Sequence, residues 1–290
     1  MKRLLIVGCR GMLGSDLMTW KWKNWEVRGV DVDELDITQR DAVHRFIRDL
    51  HPKTIINAAA YTRVDDCEKE EALARRINAL GPKYLAEGAK EIGAHLIHIS
   101  TDYVFDGTRK EPYSEWDLPN PINAYGRTKL WGEQMVQQVG GEWTLVRTQW
   151  LYGTQGPNFV EKMISLARER PTLNVVNDQT GCPTCTVDLV RQLVLLAEER
   201  LLGLVHASSM GCCTWYEFAK SIFLGLKWEH VDLKPIDSSD LALPAKRPIH
   251  SVLENGHLSA TGLDIMPSWQ DGLLAHLKRE TTFGSDTKEP

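Results

Sequence analysis

A tyrosine and a lysine stand four residues apart, at Tyr125 and Lys129, in a stretch with a helical pattern. This spacing places both side chains on one face of a helix. A phenol has an ordinary pKa of about 10, so it exchanges protons at neutral pH only when a nearby positive charge such as Lys129 stabilises its anion. The pair indicates acid–base chemistry on a bound substrate, although the same spacing is also common on exposed helices.

Thr101 follows an apolar run from Ala94 to Ser100. Such a run predicts a buried strand, and open parallel sheets bind their ligands at the carboxyl ends of the strands. We therefore expect the Thr101 hydroxyl to hydrogen-bond a substrate carbonyl. The alternative is a threonine that only stabilises the turn after its strand.

The segment GCRGMLG, from Gly8 to Gly14, joins an apolar run to an amphipathic stretch that begins at Met12. Glycines at Gly8, Gly11 and Gly14 allow a tight turn and let backbone amides approach a pyrophosphate at the start of the helix. The spacing is G-x-x-G-x-x-G rather than G-x-G-x-x-G, which favours relatives of the short-chain dehydrogenases. The sequence thus predicts a dinucleotide site.

Two charged residues bear on which dinucleotide is bound. Asp31 ends the predicted second strand, where a carboxylate accepts hydrogen bonds from adenosine ribose hydroxyls, as in NAD-binding proteins. Arg10 points to the opposite preference, because a guanidinium pairs well with a 2′-phosphate. Both NADPH and NADH therefore stay open as cofactors.

The elements that position these residues alternate between strand and helix. Apolar runs and amphipathic stretches follow one another up to about residue 150, which predicts a Rossmann-like α/β fold with a doubly wound parallel sheet. Shorter, mixed elements from 151 to 280 predict a smaller α/β substrate-binding lobe, with some segments returning to the first domain. The polar residues 281–290 predict a flexible tail.

Composition excludes several classes of protein. The 290 residues are 42% hydrophobic and 25% charged with a net charge of −5, which is typical of a globular protein and unfavourable for nucleic-acid binding. The sequence lacks the 18 or more consecutive apolar residues of a membrane helix and a recognisable signal peptide. We expect a cytoplasmic protein, and a homodimer is one of the oligomeric states left open.

Cys182 and Cys185 form a C-x-x-C pair among six cysteines. A zinc site needs two further ligands at suitable spacing, and the adjacent Cys212 and Cys213 are poorly placed to supply them. We therefore expect reduced thiols and no required metal.

Several ordered segments together resemble the dTDP-4-dehydrorhamnose reductases, a family of extended short-chain dehydrogenase/reductase proteins. The resemblance runs from Gly8 to about Trp269. It rests on GCRGMLG, NAAAYTRVDDCE, STDYVFDG, PINAYGRTKLWGE, RTQWLYG, NFVEKMI, VVNDQTGCPT, TWYEFA and RPIHSVL.

The resemblance implies roles for individual residues. Tyr125 would be the proton donor, Lys129 would hold the nicotinamide ribose and lower the pKa of the tyrosine, and Thr101 would bind the carbonyl. The implied cofactor-binding residues are Gly8, Arg10, Gly11, Met12, Leu13, Gly14, Asp31, Asp36, Ile37, Ala59, Ala60, Tyr125 and Lys129. The implied substrate-binding residues are Thr62, Thr101, Tyr125, Trp150, Asn158, Phe159 and Arg247.

The implied activity is NAD(P)H-dependent reduction of the C4 ketone of dTDP-4-dehydro-L-rhamnose to dTDP-L-rhamnose, in nucleotide-sugar biosynthesis. Two alternatives share the same motifs. One is a sugar-nucleotide epimerase or dehydratase, which keeps its dinucleotide through the catalytic cycle. The other is a non-catalytic subunit similar to the regulatory partner of methionine adenosyltransferase.

Overall fold

The computed structural model describes residues 1–285, with side chains up to Arg279. Its strands are β1 (Lys2–Val7), β2 (Trp25–Val30), β3 (Thr54–Asn57), β4 (His95–Thr101), β5 (Glu142–Thr148), β6 (Leu151–Tyr152), β7 (Thr172–Val176), β8 (Thr180–Gly181), β9 (Thr184–Cys185), β10 (Gly203–His206), β11 (Cys213–Thr214) and β12 (Asp232–Ile236).

The α-helices are α1 (Met12–Thr19), α2 (Arg40–Leu50), α3 (Val64–Cys67), α4 (Glu71–Arg75), α5 (Gly81–Ile92), α6 (Ala124–Val139), α7 (Phe159–Glu169), α8 (Thr186–Glu199), α9 (Trp215–Leu226), α10 (Gly256–Thr261) and α11 (Trp269–Ser285). A π-helical turn (Arg76–Leu80) joins α4 to α5, and short 3₁₀ turns cover Asp102–Val104 and Ser238–Asp240. Within residues 1–285, no helix is both long and apolar enough to cross a bilayer.

Six strands form one parallel sheet in the order β10-β5-β4-β3-β1-β2. The chain first builds outward from β1 to β2 and then continues on the other side of β1 with β3, β4 and β5. Such a reversal leaves a crevice at the carboxyl ends of the strands, where open α/β sheets bind ligands. The order confirms the Rossmann-like doubly wound fold that the sequence predicted.

Both faces of this sheet are buried, which explains why its strands are continuous apolar runs. In β1, Leu4 and Ile6 pack into one core with residues of α1 and α8, whereas Leu5 and Val7 pack into a second core with residues of α2, α5 and α6. The side chains alternate because successive residues of a strand point to opposite faces.

The large sheet and its cores include residues from the second half of the chain. β10 pairs in parallel with β5 and forms one edge of the large sheet. Helix α8 contributes Leu189, Val190 and Leu193 to the core beneath α1. The sheet and its helices are therefore assembled from the first half of the chain together with α8 and β10.

The smaller lobe combines α7, α9 and α11 with three two-stranded sheets: β7 with β12, β8 with β11 and β6 with β9. Its apolar core is rich in aromatic side chains, among them Tyr152, Phe218 and Trp269. This core is separate from the two cores of the large sheet, so the lobe has its own packing centre.

The sequence prediction and the structure differ at two places in the C-terminal third. The proline-containing stretch after Leu224 has no clear strand pattern in the sequence, but it forms β12, whose Pro235 has no backbone N–H to donate and so weakens the strand signal. The flexible tail was expected from Thr281, but α11 continues to Ser285. The remaining residues of that predicted tail, 286–290, lie outside the described part of the chain.

Candidate active site

The turn between β1 and α1 requires glycine at two positions. Gly8 has a φ of +79°, and a Cβ there would lie 2.7 Å from the backbone nitrogen of Ala59. A Cβ on Gly14 would lie 2.0 Å from the carbonyl oxygen of Gly8. The turn is therefore closed tightly against the end of β3. Its own backbone N–H groups bind within the protein: those of Gly8 and Cys9 donate to the Val30 carbonyl oxygen, that of Arg10 to Asp31 and that of Gly11 to the Gly8 carbonyl oxygen.

A cavity of about 590 Å³ opens beside this turn, at the carboxyl ends of β1, β2 and β3. Eight of the predicted cofactor residues line it: Gly8, Arg10, Gly11, Asp31, Asp36, Ile37, Ala59 and Ala60. Leu13 and Gly14 are instead buried in the first turns of α1, where they support the glycine turn from behind, and Met12 begins that helix. Arg76 and Ile77 of the π-helical turn also line the cavity and had no recognisable signal in the sequence.

The charged residues that line this cavity include two aspartates, Asp31 and Asp36, and two arginines, Arg10 and Arg76. Asp31 accepts hydrogen bonds from the backbone N–H groups of Arg10 (3.0 Å) and Val32 (2.9 Å). Burial raises the pKa of Asp36, but hydrogen bonds from Thr38 outweigh this effect and hold the pKa below its usual value. A glycine turn followed by a carboxylate at the end of β2 fits the pyrophosphate and the ribose of a dinucleotide.

The structure brings Tyr125, Lys129 and Thr101 together at the carboxyl end of β4. Helix α6 begins beside this strand because Asn123 caps it, its Oδ1 accepting from the Gly126 N–H at 2.8 Å. One turn later, Nζ of the buried Lys129 donates to the carbonyl oxygen of Ile99 at 2.6 Å.

Tyr125 and Lys129, which were also predicted to bind the cofactor, are not among the residues that line the cavity. Tyr125 packs against the same small apolar cluster as Leu73 and Ile77, and those two residues do line it. The Thr101 hydroxyl lies in hydrogen-bonding range of the Tyr125 phenol. The ring of Tyr103 packs edge-to-face on Tyr125, with centroids 5.6 Å apart.

Burial is the largest cause of the pKa shifts of Tyr125 and Lys129. Desolvation raises the pKa of Tyr125 and lowers that of Lys129 to about 8, although Glu133 opposes the second shift. The resemblance implied that Lys129 lowers the pKa of Tyr125. In the structure the ammonium of Lys129 is bound to the Ile99 carbonyl, and burial has the largest effect on the pKa of the phenol. The phenol is thus protonated at neutral pH, the form that a proton donor requires.

Asp102 is a buried carboxyl group at this site that was not singled out from the sequence, although it adjoins Thr101 in STDYVFDG. Its Oδ1 accepts a hydrogen bond of 3.0 Å from the Thr101 hydroxyl. Burial raises the pKa of Asp102 to about 7, against the opposing hydrogen bonds of Ser251 and Thr101.

Two of the predicted substrate residues belong to an aromatic cluster in the smaller lobe. The indole of Trp150 stacks on that of Trp215 with centroids 3.5 Å apart, and the ring of Phe159 packs on Trp215 at 4.6 Å. Trp150 has a φ of +46°, which is uncommon for a bulky residue and occurs where surrounding structure imposes it, often at functional sites. A Cβ on Gly181 would strike the Trp150 indole at 2.4 Å, so Gly181 makes room for the stack.

The other three predicted substrate residues have different surroundings. Thr62 is exposed on the loop after β3. Asn158 caps α7 by accepting from the Glu161 N–H at 3.1 Å. The guanidinium of Arg247 makes two hydrogen bonds of 2.7 Å to the carboxylate of Asp65. Asn158 and Arg247 thus have structural partners within the protein, and the amide nitrogen of Asn158 also donates to the carbonyl oxygens of Gly153 and Gly156.

The C-x-x-C pair is part of the core of the smaller lobe. Cys182 and Cys185 are both buried free thiols, and Sγ of Cys182 donates to the carbonyl oxygen of Ser209 at 2.7 Å. Burial raises the pKa of both thiols. In the part of the chain that the structure describes, no group of three or more histidine, cysteine, aspartate and glutamate side chains is arranged to hold a metal ion.

Known proteins share this architecture over its full length. The family model described as the RmlD substrate binding domain matches residues 1–282. A dTDP-4-keto-6-deoxy-D-glucose reductase of Streptomyces niveus is 40% identical and is aligned over 93% of this chain and 95% of its own length.

Two solved structures are similar in both sequence and fold. The crystal structure of a dTDP-4-dehydrorhamnose reductase from Clostridium acetobutylicum is 44% identical, covers 96% of this chain and 99% of that chain, and has a TM-score of 0.94. The dTDP-4-dehydrorhamnose reductase from Bacillus anthracis, crystallised in complex with NADP, is 40% identical, covers 96% and 100% of the two chains, and also has a TM-score of 0.94. The chain therefore belongs to the RmlD substrate-binding family, that of the dTDP-4-dehydrorhamnose reductases, as its sequence motifs predicted.

Proposed function

We propose that this protein is an NAD(P)H-dependent reductase that converts the C4 ketone of dTDP-4-dehydro-L-rhamnose to the hydroxyl of dTDP-L-rhamnose. The observation that carries the proposal is the meeting of Tyr125, Thr101 and Lys129 at the carboxyl end of β4, beside a cavity suited to a dinucleotide. The relatives named above support the same reaction class, the reduction of a keto group on a dTDP-linked sugar.

When bound, the reduced nicotinamide supplies the hydride that adds to the carbonyl carbon. The phenol of Tyr125 then gives its proton to the developing alkoxide oxygen, and its raised pKa keeps it protonated until that charge appears. Lys129 places one buried positive charge at the same point, and its remaining N–H donors are free to hold a ribose hydroxyl.

The Thr101 hydroxyl has one proton and two acceptor sites. In this structure the Thr101 hydroxyl donates its proton to Asp102 and accepts a hydrogen bond of 3.2 Å from the Tyr103 N–H. Binding of a substrate carbonyl therefore requires the hydroxyl to turn from Asp102 to the substrate. This change is easiest when Asp102 is protonated, because a neutral carboxyl is the weaker acceptor.

For the substrate we propose contacts with the residues that the family resemblance implied. The stacked indoles of Trp150 and Trp215, with Phe159 beside them, provide a flat apolar surface for a sugar ring or a base. Thr62 and Arg247 would add polar contacts. Arg247 keeps N–H donors beyond those that it gives to Asp65, since a guanidinium has five.

A second candidate substrate is dTDP-4-keto-6-deoxy-D-glucose, because the Streptomyces niveus relative that carries this activity in its name is 40% identical over nearly the whole chain. The two substrates share the keto group that Tyr125 and Thr101 would bind. They differ in the stereochemistry of the hexose ring.

The test is oxidation of NADH and of NADPH, followed by absorbance, with each of the two enzymatically prepared keto sugars. We expect substrate-dependent oxidation that is lost in Tyr125→Phe and kept in Tyr216→Phe, the same change on α9 in the smaller lobe. Turnover without added reduced dinucleotide, by a protein that purifies with dinucleotide bound, would instead support an epimerase or dehydratase. Dinucleotide binding without reduction of either sugar would support the non-catalytic subunit.

A further inference from the structure

Arg10 and Asp33 form an ion pair at the adenosine side of the cavity. The Nη1 group of Arg10 donates to Oδ2 of Asp33 at 3.0 Å, and Nη2 donates to Oδ1, so both arms of the guanidinium engage one carboxylate. These bonds hold the pKa of Asp33 below its usual value. Arg10 itself lines the cavity, whereas its side chain is turned toward the loop that follows β2.

Asp31 lies on the other side of the same guanidinium. Nη2 of Arg10 is 3.7 Å from Oδ1 of Asp31, and the Arg10 backbone N–H donates to Oδ2 of that residue. One guanidinium therefore stands between two carboxylates. The local charge is negative by one unit, which favours ribose hydroxyls and disfavours a 2′-phosphate that carries nearly two negative charges at neutral pH.

We propose that Asp33 sets the cofactor preference of this protein by holding the Arg10 guanidinium, so that Asp33 and an adenosine 2′-phosphate compete for the same two N–H donors. NADH meets Asp31 without disturbing the pair. NADPH gains the full contact with Arg10 only after the guanidinium has left Asp33. The proposal rests on the proposed function, because it concerns the dinucleotide of that reaction.

The same loop offers a matched control. Glu34 follows Asp33 directly, is also exposed, and pairs with Arg28 at 3.0 Å rather than with Arg10. Glu34→Gln removes one negative charge next to Asp33 but leaves the Arg10 pair intact. It therefore separates the release of the guanidinium from the general loss of negative charge near the cavity.

The experiment measures the dissociation constants of NADP⁺ and NAD⁺ by isothermal titration calorimetry at low ionic strength, where surface charges are least screened. The proteins are the unmodified chain, Asp33→Asn, Glu34→Gln, and Asp33→Asn combined with Arg10→Gln. The three substitutions fall on exposed side chains, so each variant is expected to fold. Binding is independent of catalytic turnover, so the result does not depend on having the correct sugar.

We expect Asp33→Asn to bind NADP⁺ about two- to fivefold more tightly, the scale of an exposed ion pair, with NAD⁺ unchanged. Glu34→Gln should leave the ratio of the two constants unchanged, and Arg10→Gln should cancel the gain of Asp33→Asn. An unchanged ratio in Asp33→Asn, or an equal change in Glu34→Gln, would overturn the inference alone. Failure of the unmodified protein to bind either dinucleotide would overturn both the inference and the proposed function.

Discussion

Glu133 and Arg147 form a buried ion pair directly behind the proposed catalytic residues. Their side chains are 2% and 3% exposed, and Arg147 donates to the two carboxylate oxygens of Glu133 at 2.9 and 2.7 Å. The Ser100 hydroxyl donates to the same carboxylate at 2.5 Å. The pair ties α6, which carries Tyr125 and Lys129, to β4 and β5.

We predict that Glu133→Gln strongly destabilises the protein. The amide cannot neutralise Arg147, and removal of one partner of a buried ion pair costs about 3–5 kcal/mol. At roughly 2–4 °C of melting temperature per kcal/mol for large domains, this corresponds to a fall of about 6–20 °C. Loss of Glu133 also removes the charge that supports the protonated form of Lys129, so the pKa of Lys129 falls further below its present value of about 8.

The assay is thermal unfolding followed by circular dichroism. Glu91→Gln is the matched control, because Glu91 makes an exposed pair with Arg48 at 3.2 Å and its loss should cost about 1 kcal/mol or less. Combining Glu133→Met with Arg147→Met should recover part of the loss, since no charge is then left unpaired. A fall of less than about 3 °C in Glu133→Gln, or a double variant less stable than the single one, would refute the reasoning.

Three further outcomes are expected. Tyr125→Phe should lose about 10²-fold or more in turnover, because the proton donor is removed; equal turnover in the two proteins would exclude the assigned role. Gly14→Ala should lose dinucleotide binding in a calorimetric titration, because its Cβ would lie 2.0 Å from the Gly8 carbonyl oxygen; normal affinity would show that the turn can relax. Burial raises the pKa of Asp102 from 3.8 to about 7, so the folded protein holds this proton more tightly than the unfolded chain does. The stability that the neutral carboxyl contributes is therefore present below pH 3.8 and is lost as the pH rises through about 7. Melting temperatures of the unmodified chain should therefore fall relative to Asp102→Asn between those values, and parallel curves would contradict the assigned burial.

The parts of the fold that follow from local rules could be predicted from the sequence. The alternation of apolar runs with amphipathic stretches predicted a parallel sheet. Parallel strands need long connections, usually helices, and strands covered by helices on both faces are apolar along their whole length. The position of Gly8 and Gly14 at the first strand–helix junction predicted a turn that the structure shows to exclude any larger residue at either position.

Contacts between distant segments could not be predicted in the same way. Arg247 reaches Asp65 across 182 positions, and no spacing rule connects the two residues. The positive φ of Trp150 likewise depends on the stack with Trp215 and on the space left by Gly181. Arg76, which lines the cavity, lies in a π-helical turn between α4 and α5, and no local pattern in the sequence marks that turn.

β10 lies more than 50 residues after β5, the strand with which it pairs, and this affects both the synthesis of the protein and the design of fragments. Until residue 206 has been synthesised, β5 is an open edge whose N–H and C=O groups can pair with another chain. A fragment that ends at residue 150 would keep the glycine turn and Tyr125, the proposed proton donor, but expose both this edge and the apolar face that α8 covers. We expect such a fragment to aggregate, and the shortest soluble dinucleotide-binding unit must extend beyond His206.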